Sequence, residues 1–531
     1  MANRYWVGGT NTWNGTAGSK WAATSGGAGG QSLPTSSDDV FFDAASGSVI
    51  VDIESGNTGA KSINFTGFTG EITGTDAISV VDNITLGTGM TISYTGIITI
   101  TGACVFTSNG KVLGSNVTLN GTSLTFADAF ESAVLTLTAG SLDLNEQVVK
   151  VGQFSSSGST TRSIDFTNAT LDLTGTGPIV YPPGNAPNLS LSGQSTGLIL
   201  LSAATSSSRT VTMDFSPLVL APSIEVAAGS NTVSFSSANC YNFVAGSGFT
   251  AILNGGLSVY NDFTMHSNNA NSSLSLTMSA TSGTHTINSA GKSMSSLAIN
   301  GAGGTFEIPS ALVLSSSFTV TAGTFNSNNY DITASAVTGT GASVAAMNLG
   351  TSHVVITGAS TAWQVTNANL ALSAASATLE FTVNSASVTN VYLGGKTVGT
   401  IHVNTLGVGA FAIRDSLGVI NNFKINAGRL VEFTNSSVTT VNGFEAVGSS
   451  GSPITLRTLS NAAVNWSIVY GGDGVVSCDW LDVKRSQASP SNTWYAGANS
   501  VDSGNNTGWL FQNAPGEGGA SHQNVLLLGV G

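Results

Sequence analysis

Three aspartates at the centres of apolar triplets are the first candidates for chemistry. They are Asp143 in Leu142-Asp143-Leu144, Asp165 in Ile164-Asp165-Phe166 and Asp172 in Leu171-Asp172-Leu173. Asp143 and Asp165 stand 22 residues apart in matching triplets. Cleavage of a glycosidic bond needs two carboxylates flanking that bond, one often with a raised pKa. The centre of an apolar–polar–apolar triplet in a strand points away from the core, so these aspartates are expected to form an outward carboxylate row. The same row also serves as a solvated acidic face that discourages aggregation. A lyase would instead set a carboxylate beside an arginine or lysine, and Arg162, Arg209, Arg414, Arg429 and Arg457 form no cluster in the sequence.

Asp38, Asp39 and Asp43 are the densest acidic group. Aspartates in turns bond nearby backbone amides. Calcium binding is the alternative, although no nonapeptide calcium repeat is present. His266, His285, His353, His402 and His522 share no metal-ligand spacing. Cys104, Cys240 and Cys478 are far apart, form no disulfide framework, and read as small buried thiols. No nucleophile elbow or phosphate loop stands out. Neither a catalytic residue, a metal nor a cofactor is expected.

Whatever chemistry exists must be positioned by a repeat. Ile63, Ile84, Val105, Leu124, Leu142 and Ile164 recur at separations of 21, 21, 19, 18 and 22 residues, and all but Val105 open a hydrophobic–polar–hydrophobic triplet. Short strands recurring near this period between Gly, Ser, Thr and Asn turns predict a β-solenoid. Later echoes agree: Leu297 and Phe318 are 21 apart, and the stretch from Ser316 to Gly323 matches the stretch from Asn421 to Gly428 at an offset of 105, five times 21. Charged residues are only 8% of the chain, against about 25% in an average protein, which argues against a helix-rich fold. A hydrophobic share of 41% is enough to bury a core. The expected fold is all-β, a right-handed parallel β-solenoid rod with caps at both ends. At about 4.8 Å per rung, roughly 19 rungs would extend on the order of 90 Å.

The expected organisation has five parts. Residues 1–60 form a Trp-rich capping or attachment module holding Trp6, Trp13 and Trp21. Residues 61–180 and 181–465 form two solenoid segments, divided where Pro178, Pro182, Pro183 and Pro187 interrupt the ladder. Residues 466–512 form a C-terminal cap with Trp480, Trp494 and Trp509. Residues 513–531 form a Gly-rich linker and an apolar tail, whose Val525, Leu526, Leu527, Leu528 and Val530 are expected to dock on a neighbouring subunit or along the chain's own surface.

The formal charge of −13 and the lack of basic clusters speak against nucleic-acid binding. No apolar run approaches the ~20 residues of a membrane span, and the N-terminus does not read as a secretory signal. Taken with a composition suited to an extracellular rod, this fits a virion component made in a host cytoplasm and released by lysis, and an unconventional secretion route fits it as well.

Three stretches carry a family resemblance. The opening Trp6-Val7-Gly8-Gly9-Thr10, with Trp13, Trp21 and the Pro34 to Val40 stretch, resembles the N-terminal module of β-helical surface adhesins and of bacteriophage virion proteins. The closing stretch from Trp494 to Phe511 is similar to the end of phage tail-fibre-like β-helix proteins, as is the phrase Met347 to Ser352 leading to Trp363. The resemblance implies a structural virion appendage, a tail fibre or spike at the virion surface that displays a solenoid face for host attachment. Its partners would be other virion subunits and a host surface glycan or protein. It would form a homo-oligomer, a trimer by analogy. A polysaccharide depolymerase tailspike and a capsid or tail decoration protein with no receptor role are the alternatives.

Overall fold

Alternation of Val, Ile, Leu and Phe with Ser, Thr and Asn favours strands with one buried face, and frequent Gly and Asn permit the turns between them. The structure, a computed structural model, describes residues 2–13, 19–54, 58–156, 158–175, 179–180, 188–203, 209–212, 221–404, 407–415 and 418–516. It is all-β, a solenoid of about 20 parallel stacked coils. Two short 3-10 turns, Ala44–Ser46 and Leu459–Asn461, interrupt the described strands. Two compact units divide at residues 277 and 278. The division expected near residue 180 falls among residues 176–178 and 181–187, outside the described residues.

In the N-terminal unit, inward residues stack in columns along successive coils. One column runs Val40, Ile63, Ile84, Phe106, Phe126. Another runs Cys104, Leu124, Leu142, Ile164, Leu191. Nearly all of these side chains are buried, and burying each large one contributes roughly 1.5–3 kcal/mol. The expected opener Val105 is displaced by one position: Cys104 and Phe106 point inward, and Val105 is 44% exposed. A one-residue slip in a strand exchanges its two faces, so the true inward pair flanks Val105. At the coil corner, Gly140 has φ of +85°, and a Cβ there would meet the Gly121 carbonyl oxygen at 2.3 Å. Both facts require glycine.

The C-terminal unit repeats this construction with more variable coil lengths. One column runs Leu297, Phe318, Val337, Trp363, Val391, Ile413, Phe433. A second runs Leu312, Ile332, Val354, Leu379, Ile401, Phe423, Phe444. Leu297 and Phe318 are therefore direct partners, as their spacing predicts. The 105-residue echo is not a stack, however, because Phe318 and Phe423 belong to different columns. Intervals of 26 and 28 residues at Val337–Trp363–Val391 break the 21-residue count.

The two chain-terminal coils are built differently. Strand Asn3–Trp6 stacks in parallel on Asp39–Phe41, and its other edge is covered at Tyr5 and Trp6 by Trp21–Ala22, which runs antiparallel. Trp6, Trp13 and Trp21 are all buried around Phe42, with ring centroids 5.0–5.9 Å apart. In the C-terminal unit, Val501–Asp502 pairs with Leu481–Val483, and Trp509–Leu510 pairs with Trp494–Tyr495. Among the described residues no strand covers the far edges of Val501–Asp502 and Trp509–Leu510.

Candidate functional site

The aspartates of the matching triplets come together as their spacing predicts. Asp143 and Asp165 are direct partners on neighbouring parallel strands, both half-exposed on the outer row. Each is engaged locally. Asp143 Oδ1 accepts the Asn145 amide at 2.8 Å. Asp165 Oδ1 accepts the Thr167 amide at 2.9 Å and the Thr167 hydroxyl at 2.7 Å. The Thr167 hydrogen bonds hold the Asp165 carboxyl below the usual carboxylate range. That is the wrong direction for a general acid, which must carry a proton near neutral pH. Asp172 departs from the expected outward row. It is 8% exposed and accepts the Ser202 hydroxyl at 2.5 Å. The register sets it beside Lys150 and against Leu200 of the next coil, which shields it from solvent.

The acidic group near the N-terminus divides into three separate structural duties. Asp38 accepts the Thr35 amide and hydroxyl at 3.0 and 2.9 Å and the Ala2 amide at 3.1 Å, with Arg4 at 4.0 Å. Burial works to raise its pKa, but the Thr35 hydrogen bonds and the Arg4 charge outweigh it and hold the carboxyl low. Asp39 pairs with Lys61 at 3.2 Å and accepts the Ser62 hydroxyl. Asp43 caps the turn Ala44–Ser46. Among the described residues, no group of three or more His, Cys, Asp or Glu could hold a metal ion.

A titratable cluster of the C-terminal unit lies where histidine spacing alone gives no signal. Glu380, His402, Lys424 and Glu445 are successive partners on one outer row. His353 Nε2 meets Glu380 Oε2 at 2.7 Å, and His402 Nδ1 lies 3.7 Å from Glu380 Oε1. Asn404 donates to Glu380 Oε1 at 2.7 Å, and Asn426 donates to Asn404 Oδ1 at 2.6 Å. His402 Nε2 faces Asn426 Oδ1 at 3.0 Å, which makes that nitrogen the donor. The Asn404 hydrogen bond is the largest cause holding the Glu380 carboxyl low; His353 and the charges of both imidazoles add to it, while burial opposes. An ionised carboxylate that orients a half-exposed imidazole is one half of an acid–base pair. The signal for this cluster was in the sequence as triplets rather than as histidines. Leu379-Glu380-Phe381, Ile401-His402-Val403 and Phe423-Lys424-Ile425 recur at 22-residue intervals with a polar centre.

The remaining candidates are distributed. His285 is buried with Nε2 2.6 Å from the Ser282 carbonyl. His266 Nδ1 accepts the Asn268 amide. The three cysteines are buried and form no disulfide, and burial pushes the Cys104 thiol up to about 12. Trp494 and Trp509 pack together at 5.0 Å, and their indole nitrogens donate to the Ser489 carbonyl and the Ser486 hydroxyl. Trp480 does not join them: it is half-buried, its φ is +56°, and it makes no ring contact among the described residues. Trp466, which the sequence reading passed over, is fully buried and stacks on Phe433 at 3.9 Å. His522 and the tail residues Val525, Leu526, Leu527, Leu528 and Val530 lie outside the described residues. Among the described residues no helix is long and apolar enough to cross a membrane. Comparison of the chain with protein-family models, curated proteins and solved structures finds no match.

Proposed function

We propose that this chain is a structural virion appendage, tail-fibre or spike-like, which displays its solenoid surface for attachment to a host cell. One observation carries the reading. The coils form a scaffold with outer rows rich in Ser, Thr and Asn, and the acidic candidates on those rows are spent on turns and ladders rather than held as a reactive pair. A repeated face presents many equal, weak contacts, and these sum through avidity. Other virion subunits, a host surface glycan or protein, and further copies of the chain, three by analogy, are the partners of this reading. Electron microscopy of the source particle tests it. A protruding appendage with a free tip is the expected result. Density lying flat on a capsid or sheathing a tube overturns the attachment role and leaves a decoration protein.

A second reading, a polysaccharide depolymerase, is favoured by the partnership of Asp143 and Asp165 on neighbouring strands. Release of new reducing ends from host polysaccharide, lost in Asp143→Asn and Asp165→Asn, would establish it. No release from the native chain removes it.

A further inference from the structure

The turns of three successive coils in the C-terminal unit line an open cleft of about 250 Å³ that includes Gly394, Gly395, Arg414, Asp415, Asn435 and Ser436, together with Thr434 and Ser437. Its construction follows from the turns. Gly394 and Gly395 have φ of +61° and +76°, and a Cβ on Gly394 would meet the Val365 carbonyl oxygen at 2.1 Å. One wall is therefore bare backbone. The Asp415 carboxylate turns toward that wall and accepts the Leu393 and Gly394 amides at 3.0 and 2.5 Å. The Arg414 side chain is fixed through Nε, which donates to Asn390 Oδ1 at 2.5 Å. Neither terminal guanidinium nitrogen has a partner among the described residues, and the same holds for the exposed Asn435 amide. Thr434 and Ser437 are already used, donating to the Ile413 and Thr434 carbonyls.

What remains free is a mixed set. Arg414 offers donors, each Asp415 oxygen keeps a lone pair, Asn435 offers both, and Ser436 adds a hydroxyl. The formal charges of Arg414 and Asp415 cancel. An anion entering the cleft meets the carboxylate, and a cation meets the guanidinium. A neutral polyol satisfies both, since each hydroxyl donates to one group while accepting from the other. The volume lies below the ~300–1,000 Å³ of drug-sized pockets, which fits one sugar ring rather than a chain segment.

We propose that this cleft binds a single neutral hexose unit through Arg414, Asp415 and Asn435. The proposal deepens the attachment reading and rests on it for the source of the sugar, a host surface glycan.

Saturation-transfer NMR on the full chain tests it, with glucose, galactose and N-acetylglucosamine as neutral probes and glucuronate as the charged one. At least one neutral probe is expected to give a signal that exceeds that of glucuronate. Arg414→Gln should weaken binding about tenfold, the loss of one charge-assisted hydrogen bond. Asn435→Ala, at an exposed position that leaves the fold unstressed, should also weaken it, with unchanged circular dichroism. No neutral signal at millimolar probe, a signal that survives both substitutions, or preference for glucuronate overturns the proposal. The two readings fail separately. Hexose binding without adherence to any host cell removes attachment and keeps the cleft. Adherence unchanged by Arg414→Gln and Asn435→Ala, without hexose binding, removes the cleft and keeps attachment.

Discussion

The first coil of the N-terminal unit and the last described coil of the C-terminal unit meet the same problem with different solutions. A parallel strand at the end of a stack leaves one row of N–H and C=O groups unpaired, which templates aggregation. Along Tyr5 and Trp6 that row is paired by the antiparallel strand Trp21–Ala22, and three indoles close the core beneath it. At Val501–Asp502 the backbone edge is open among the described residues, both side chains are exposed, and only the core is closed, by Trp494 and Trp509. Closing a core and covering an edge are separate tasks. In this chain aromatic bulk does the first, and an antiparallel strand does the second.

The largest expected effect comes from removing the residue that does both. Trp21 carries the covering strand and packs against Trp6, Trp13 and Phe42. Trp21→Ala should cost about 4 kcal/mol and expose strand Asn3–Trp6, read as a lower first transition on thermal melting and as faster exchange of that strand's amides. A loss confined to stability, with no faster exchange at Asn3–Trp6, would mean that the covering strand does not depend on its indole.

The C-terminal counterpart is smaller. Trp509 is 8% exposed and, among the described residues, touches one ring, Trp494. Trp509→Ala should cost about 3 kcal/mol and leave the N-terminal unit's transition unmoved. A shift in both transitions would show that the two units do not melt independently.

Acid should act at the covered end through Asp38. Its folded pKa is depressed, so its stabilising contribution is present above the ordinary value of 3.8 and is lost as pH falls from there through the folded value. The Thr35 turn and the Ala2 amide then lose their acceptor. Amide exchange at Asn3–Trp6, corrected for its intrinsic pH dependence, should accelerate below that pH, and Asp38→Asn should remove most of the dependence while costing about 1 kcal/mol at neutral pH. An acid response that persists in Asp38→Asn would assign it to another carboxylate.

The smallest effect on stability is expected at the open edge. Val501 is 56% exposed, so Val501→Lys should change stability by less than about 0.5 kcal/mol. It should nevertheless reduce self-association in sedimentation, because a lysine on an edge strand opposes pairing. Unchanged association would mean that this edge is not the contact.

Period and polarity were enough to read the solenoid, the inward columns and the adjacency of Asp143 and Asp165. They failed where coil length changes. The echo of Ser316 to Gly323 in Asn421 to Gly428 suggested one face, yet Phe318 and Phe423 belong to different columns because the coils between them lengthen. The Val105 slip has the same origin at smaller scale, since every residue of the Cys104-Val105-Phe106 triplet is apolar and the triplet gives no polarity to fix its register. The acidic triplets predicted outward aspartates and held for Asp143 and Asp165. Burial of Asp172 depends on Leu200 and Ser202 of the following coil, which no local pattern records. The Glu380 cluster is harder to read because its members differ in residue type, although its triplets recur at 22-residue intervals as those of Asp143 and Asp165 do. The cleft at Arg414 was invisible because its lining belongs to three separate turns.

The most direct measurement is peptide-resolved hydrogen exchange of the full chain at neutral pH. Slow exchange through Asn3–Trp6 and Trp21–Ala22, with exchange at Val501–Asp502 faster by at least about tenfold, is the result that a covered first edge and an open last edge require. Equal protection at the two ends, or faster exchange at Asn3–Trp6, would contradict it.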